Sequence, residues 1–225
     1  MIKSPQKVGM MHMAFLFNWA EVEPDEYAMT TTDGSIVDLG ERNYLRIDGE
    51  GDESSAEFMR DAAILLTLGK FLSTAPTHGI PIATFRKFVH YPLMVNWYGT
   101  LHDDHERYQM RMKQPNFMPA DAVIAAINQL RESMPMIGDV TYERFKEGLE
   151  AQVSQIGLVT PALVEKLQMF IGNSPFVIDH GDDWHRELYL NDVTALPRSQ
   201  WQIILRQQIS VADPVAARNY PIVIN

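Results

Sequence analysis

The sequence predicts an α+β protein in which two related βαββ modules form a curved, mainly antiparallel sheet with the helices on one face. A strand, an amphipathic helix and two further strands follow one another twice along the chain, on either side of one helical segment. Short loops join the strands, and short loops favour antiparallel neighbours. No low-complexity linker separates the halves, so we expect one pseudo-duplicated domain.

The first module begins with a predicted strand at 44–49. Ser54, with a glutamate three residues later, forms a capping box that predicts the start of an amphipathic helix. Two strands are predicted next, at 86–98 and 107–113, and the second alternates cleanly between polar and apolar residues. Pro92 lies inside the first of these strands, which predicts an edge position or a bulge because proline cannot donate to the ladder.

A helical insert at 120–133 separates the first module from the second. The second module then repeats the order, with a predicted strand at 149–156 and a helix that begins after Thr160 as N-cap and a proline at the first helical position. Two strands at 184–190 and 202–209 complete it.

These elements predict the division of the chain. We expect an N-terminal arm over 1–42 that packs on the body, a single domain over 43–210 and a C-terminal tail over 211–225. Within the domain, the halves span 43–115 and 140–210, and the insert spans 118–135.

Composition narrows the class of protein. The chain has 225 residues, of which 46% are apolar and 21% charged, as in a globular protein. Its net charge of -10 argues against binding to a phosphate backbone. No apolar run approaches the ~20 residues of a membrane span. The apolar segment 10–20 is interrupted by polar residues and precedes no cleavage motif, so we expect a cytoplasmic protein.

Several classes of function lack their motifs in this sequence. There is no cysteine, no G-x-S-x-G elbow and no P-loop, and 49–51 supplies only the first half of a G-x-G-x-x-G turn. The insert helix has no second helix close behind it, as a helix-turn-helix requires. We therefore expect no direct contact with nucleic acid and no nucleotide cofactor.

Two clusters of histidine and acidic residues, at 102–106 and 179–185, raise the question of a metal site. Imidazole and carboxylate ligands suit zinc or iron. Both clusters fall where loops enter predicted strands, and such loops ordinarily carry polar residues. Neither has the H-E-x-x-H spacing, so we expect no metal and no other cofactor.

The strand at 185–189 is the most informative stretch of the chain. Its alternation places Glu187 between His185 and Tyr189 on one face. If that face lines an apolar hollow, Glu187 is a buried anion that requires a cation, a proton or an electrophile. If it faces water, the same residues form a solvated surface. Antiparallel sheets commonly have one wet face, which favours the second interpretation.

Aromatic residues and methionines concentrate on the other predicted strands. Trp97, Tyr98 and Tyr108 lie in strands, where most aromatic side chains are core or cross-strand contacts. Met94 and Met110 accompany them. Methionine usually fills gaps in a core, although it also suits a pocket that adapts to several apolar ligands.

Five segments resemble the stand-alone GyrI-like small-molecule-binding proteins, and they occur in the order that this family has. They are YLRIDGEGDESSAEF (44–58), MRMKQPNF (110–117), YERFKEG (142–148), HRELYLND (185–192) and IILRQ (203–207). The resemblance covers most of the chain from about 17 to 209.

The resemblance implies a tandem βαββ fold with an aromatic-lined pocket between the halves. In relatives fused to DNA-binding regulators, a glutamate on the strand matched here by Glu187 engages lipophilic cations. Some stand-alone members hydrolyse the strained ring of cyclopropane-containing natural products. Two family features are missing, because Met94 replaces a carboxylate and the loop Gly157–Thr160 lacks a tyrosine.

We therefore predict a binding protein for amphipathic aromatic or cationic compounds, with Glu187 as charge anchor and Tyr189 as its hydrogen-bonding neighbour. Five further residues would form the pocket walls: Met94, Trp97, Tyr98, Tyr108 and Met110. Two alternatives remain open. One is a hydrolase of electrophilic small molecules in which Glu187 is catalytic, and the other is a regulatory subunit that acts through a protein partner or as a homodimer.

Overall fold

A ring of strands carries the structure, and it confirms the α+β class and the mainly antiparallel sheet. The computed structural model describes residues 16–29, 34–99, 101, 106–179 and 184–224. The strands are β1 (Ser35–Glu50), β2 (Leu93–Tyr98), β3 (Arg107–Gln114), β4 (Thr141–Ile156), β5 (Phe176–Ile178), β6 (Trp184–Tyr189), β7 (Gln202–Val211) and β8 (Ile222–Ile224). The helices are α1 (Trp19–Val22), α2 (Pro24–Tyr27), α3 (Ala56–Leu72), α4 (Ala120–Leu130), α5 (Pro161–Gly172) and α6 (Pro214–Ala217).

The long strand β1 closes the ring. Neighbouring strands follow the order β3-β2-β6-β7-β4-β1, and β1 then pairs with β3 as well. Residues 35–46 of β1 pair with β4, whereas residues 43–50 pair with β3. Two short strands extend this arrangement: β8 pairs in parallel with β1, and β5 pairs with the end of β7.

The strand around Pro92 differs from the sequence prediction. A strand over 86–98 at an edge or with a bulge was predicted, but β2 begins at Leu93 and lies between β3 and β6. The edge prediction is therefore wrong. Because Pro92 directly precedes β2, its missing N–H removes no hydrogen bond from the ladder.

The two long amphipathic helices begin with the predicted chemistry. Thr160 is the N-cap of α5, where its hydroxyl accepts a hydrogen bond from the Leu163 N–H at 3.3 Å. The N-cap of α3 is Ser55, one residue later than predicted, and it accepts from the Phe58 N–H at 3.0 Å. Ser54 instead donates to the Asp52 carboxylate at 2.7 Å, which orders the turn before the helix.

The sheet has a helix face, on which α3 and α5 pack, and an inner face that points into the ring. Phe145 of β4 identifies the inner face, because the guanidinium groups of Arg111 (β3) and Arg186 (β6) lie 4.3 and 5.4 Å from the centre of its ring. In the strand order of the ring, β4 lies between β7 and β1, so neither β3 nor β6 is its neighbour. These side chains therefore meet across the ring and not along its wall.

The inner face holds a buried charge network, formed by Glu147, Glu150, Arg186 and Arg206. The Glu147 carboxylate lies 3.1 Å from Arg206 Nη1 and 3.4 Å from Arg186 Nη1. Arg186 also pairs with Glu150, and all four side chains are almost completely buried. Loss of one partner of such a pair typically costs about 3–5 kcal/mol, because it leaves an uncompensated charge.

The surroundings of Glu150 disfavour the negative charge of its carboxylate. Burial raises the pKa of its carboxyl to about 7, and the negative charge of Glu147 acts in the same direction, against Arg186 and Arg206. One of its carboxylate oxygens, Oε2, has no hydrogen-bond partner in the described part of the chain. At pH 7 about half of the Glu150 carboxyl groups are therefore protonated.

Among the described ranges, no helix is both long enough and apolar enough to span a membrane.

We predict that the stability of Glu150→Gln relative to the wild type increases as the pH rises from 4.5 to 7. Below about pH 4.5 the carboxyl is protonated in both states, so its pKa shift contributes nothing. Between pH 4.5 and 7 the wild-type side chain releases a proton more readily when unfolded, which lowers wild-type stability by up to about 3 kcal/mol. Urea unfolding of both proteins from pH 4.5 to 7.5 measures this difference. The control Glu165→Gln alters an exposed side chain, so its stability relative to the wild type should not change with pH. The same pH dependence in both variants would contradict the raised pKa of Glu150.

Candidate functional site

Glu187 lies on the helix face, and the structure decides between the two interpretations of its strand. Its pairing partners in the sheet are Val95 of β2 and Leu205 of β7. The side chain is completely buried. The interpretation as a solvated face is therefore wrong, because the helices and their aromatic contacts cover this side of the sheet.

Two neighbours on the same strand hold the Glu187 carboxylate. The Tyr189 hydroxyl donates to Oε2, and His185 Nε2 lies 3.1 Å from Oε1. Burial raises the pKa of the Tyr189 hydroxyl well above its usual value, and the charges of Glu187 and Glu53 add to the effect. Tyr189 therefore remains a donor, and His185, whose side chain is 13% exposed, connects the buried carboxylate to the outside.

An aromatic cluster surrounds this group. Phe58 of α3 stacks on Trp97 with ring centres 5.4 Å apart and an angle of 18°, and Tyr108 meets the edge of Trp97 at 5.4 Å. Tyr189 contacts Trp201 edge to face at 5.4 Å. The sequence indicated three of these rings, and it missed Phe58 and Trp201. Phe58 lies in the helical stripe after the capping box, but nothing local assigned it to the site.

Tyr108 has a further partner that sequence reasoning missed. Its hydroxyl donates to Asp61 Oδ2 at 2.8 Å, and Arg60 Nε donates to Oδ1 of the same carboxylate at 2.9 Å. Burial raises the pKa of Asp61, partly offset by these two hydrogen bonds. Gly49 makes room for the ring, since a Cβ atom there would lie 2.2 Å from the Tyr108 hydroxyl.

Met94 and Tyr98 are separated from Glu187 by the sheet. Met94 pairs with Leu188 and Arg111, and the Tyr98 hydroxyl donates to Gln109 at 3.0 Å, so both belong to the inner face. Met110, by contrast, pairs with Val95 and shares the helix face with Glu187. The structure thus brings together five of the seven predicted residues, and their role in ligand binding stays a prediction.

The α5 cleft, a cavity of about 300 Å³, opens beside this group. Its apolar walls are Val164, Leu167 and Ile171 of α5, together with Leu101, Ile178, Trp184 and Leu205. Its polar lining consists of Glu165, Gln168, His185 and Gln207, with no lysine or arginine among the described lining residues. His185 therefore lines the cleft, and its Nε2 contacts the Glu187 carboxylate.

The two clusters considered as metal sites fall largely outside the described residues. Positions 102–105 and 180–183, which hold most of the two histidine and acidic clusters, are not described. Within the described ranges, no group of three or more histidine and acidic side chains is arranged to hold a metal ion.

The comparison with solved structures found proteins of similar architecture. No family model and no curated protein matches the chain. A hydrolase from Listeria innocua is similar in structure, with a TM-score of 0.77 at 21% identity over 87% of this chain and all of that one. Another hydrolase and an uncharacterized conserved protein, both from Listeria innocua, each have a TM-score of 0.75 at 22% identity, over 86% of this chain and all of theirs.

The likeness establishes the fold. The three structures share the fold of this chain over most of its length, and membership of the GyrI-like family stays a prediction.

We predict that Tyr189→Phe lowers the free energy of unfolding by about 1–3 kcal/mol, because a buried carboxylate then loses a hydrogen-bond donor. The matched control is Tyr142→Phe, which removes a hydrogen bond of 2.7 Å to the Met118 carbonyl in a half-buried setting. Its expected cost is smaller, about 0.5–1.5 kcal/mol. Urea unfolding measures both; a larger loss in the control would show that Tyr189 does not hold Glu187 as described.

Proposed function

We propose that the protein binds amphipathic aromatic or cationic small molecules in the α5 cleft, with Glu187 as the charge that favours cations. One observation carries the proposal: an apolar cleft adjoins a completely buried carboxylate, and the described residues that line it include no basic side chain other than His185. Apolar walls with a few convergent polar groups are typical of small-molecule sites.

The walls of the cleft supply the affinity for an apolar body. Val164, Leu167 and Ile171 present one side of α5 to the cavity, and Leu205 lies opposite on β7. Burial of apolar surface contributes roughly 25 cal/mol per Å² before the costs of association.

Glu187 supplies the preference for positive charge. It lies directly behind His185, and the exposed Glu165 lies at the cleft as well. A cation held beside His185 would interact with Glu187 through protein and not through water, so screening is weak. In this proposal His185 touches the ligand, and Glu187 and Tyr189 position His185 and set the local charge.

The proposal is tested with a pair of naphthalene compounds that differ in charge. We expect 2-naphthylmethylamine, a cation at neutral pH, to bind about tenfold more tightly than neutral 2-naphthylmethanol, a difference of about 1.4 kcal/mol. Isothermal titration calorimetry measures both, and thermal shifts at fixed ligand concentration provide an independent check.

Three variants locate the site. Glu187→Gln should remove the preference for the amine and keep the affinity for the alcohol, whereas Leu167→Trp should fill the cleft and weaken both compounds. Glu132→Gln changes an exposed glutamate elsewhere and serves as the control. Equal affinity for the two compounds in the wild type, or binding that Leu167→Trp leaves intact, would overturn the proposal.

A hydrolase acting on electrophilic small molecules is the second candidate. It is favoured by the 3.1 Å contact between His185 Nε2 and Glu187 Oε1 at the wall of the cleft, since a carboxylate that orients an imidazole is a common general-base arrangement. Two of the similar Listeria structures are also called hydrolases. In this version His185 takes a proton from water while the cleft holds the electrophile.

The second candidate predicts turnover of an activated cyclopropane with addition of one water, detected by mass spectrometry. His185→Ala and Glu187→Gln should each lower kcat by about 100-fold or more, the size of a general-base contribution. Turnover that persists in His185→Ala would exclude this mechanism. Binding of the naphthalene pair without any turnover would leave the binding function alone. The partner-binding alternative stays a prediction.

A further inference from the structure

A second cavity, which we call the cationic cavity, lies where the inner face of the ring meets the N-terminal segment. It measures about 500 Å³, within the range of small-molecule sites of roughly 300–1,000 Å³. Among the described lining residues, Arg42, Arg86 and Lys113 are basic and Glu23 is acidic. The described lining residues therefore carry more positive than negative charge, on a protein whose net charge is -10.

The three basic side chains differ in their ion pairs. Arg42 pairs with the buried Glu26 at 2.8 Å, so its charge is already balanced inside the protein. Arg86 is exposed and makes no ion pair within the described residues. Lys113 is buried, its ammonium lies 4.6 Å from the centre of the Tyr91 ring, and its closest carboxylate is that of Glu23.

The Lys113 ammonium donates hydrogen bonds to both carboxylate oxygens of Glu23, at 3.0 and 2.8 Å. Glu23 stands at the junction of α1 and α2, two helices of four residues each, and α1 has no buried residue. Burial lowers the pKa of Lys113, and Arg42 lowers it further against the effect of Glu26 and Glu23. Without Glu23, the Lys113 ammonium would keep only the Glu26 carboxylate, 3.9 Å away, and would have hydrogen-bond donors free for another anion.

Gln114 adds a second, independent sign of a ligand. Its side chain is 1% exposed and lines the cavity, and its Oε1 has no hydrogen-bond partner in the described part of the chain. Its amide nitrogen donates to the backbone carbonyl of Lys113 at 2.8 Å. That contact fixes the orientation of the amide, because the reverse orientation would place two oxygens together. Oε1 therefore lacks a donor that a ligand hydroxyl or amine can supply.

The remaining walls suit an aromatic body. Phe17, Tyr91 and Phe117 line the cavity beside the polar groups. Phe117 is held edge-on by Phe85 and Phe88, with ring centres 5.9 and 6.1 Å away, so this wall is fixed from behind.

We propose that the cationic cavity binds a small aromatic carboxylate that carries a hydroxyl or amino donor. The carboxylate displaces Glu23 from Lys113 and also engages Arg86, the ring packs against Tyr91 and Phe117, and the donor reaches Gln114 Oε1. This site is separate from the α5 cleft, and its ligand has the opposite charge.

Calorimetric titration of the full chain with 4-hydroxybenzoate, 4-hydroxybenzamide and benzoate tests the proposal. The amide keeps the ring and the hydroxyl but has no charge, and benzoate keeps the charge but lacks the donor. We expect 4-hydroxybenzoate to bind at least roughly tenfold more tightly than the amide and several-fold more tightly than benzoate. Equal affinity of 4-hydroxybenzoate and the amide would overturn the proposal, as would no binding of 4-hydroxybenzoate at millimolar concentration. Equal affinity of 4-hydroxybenzoate and benzoate would overturn the role of Gln114.

Variants separate this site from the α5 cleft. Glu23→Gln removes the competing carboxylate and should tighten 4-hydroxybenzoate, whereas Lys113→Met should weaken it roughly tenfold or more. Arg86→Gln should weaken binding several-fold. Because Arg86 is exposed, this variant can replace Lys113→Met if the latter does not fold. Leu167→Trp, in the α5 cleft, should leave binding unchanged. Weaker binding in Glu23→Gln, or loss of binding in Leu167→Trp, would contradict the proposed site.

Discussion

The pairing of Arg186 and Arg206 with Glu147 inside the ring is the constraint on which the rest of the structure depends. Water cannot solvate these charges there, so each must meet its partner with good geometry. The contacts join β4, β6 and β7, and Arg206 also donates to the Glu26 carbonyl at 3.1 Å, which ties the N-terminal segment to the ring. A shift of one residue in β6 or β7 would turn an arginine toward the helices, and the same shift in β4 would turn Glu147 there.

This constraint also sets the direction of Glu187. Because Arg186 points into the ring, its neighbour on β6 must point toward α3 and α5. The sheet therefore sorts its charged residues into two environments: paired charges of both signs on the inner face, and one carboxylate with its tyrosine and histidine on the helix face. The α5 cleft therefore lies beside the Glu187 carboxylate of the helix face, whereas Arg42 and Lys113 of the inner face line the cationic cavity.

The sequence predicted those parts of the fold that depend on local patterns. The alternation of 185–189 gave the strand, and Thr160 with its following proline gave the start of α5. The length of β1 could not be predicted, because Glu41, Arg42 and Asn43 interrupt the apolar alternation and only the ring explains why Arg42 is buried. The face of Glu187 depended on what covers the sheet, which is a tertiary property. Phe58 and Trp201 reach the site from distant segments, and Lys113 and Glu23 meet for the same reason.

Closure of the ring by β1 has a consequence for the order in which the chain can fold. Ser35 pairs with Gln152, so one side of β1 finds its partner only after most of the chain has been synthesised. Before that point, β1 can pair with β3 but not with β4, so its other edge has no partner strand. Contacts between such distant residues slow folding, since the entropy of a long loop is lost before the contact forms. Until β4 is available, a sheet built from the N-terminal strands alone would have an unpaired edge, and exposed strand edges of this kind favour aggregation.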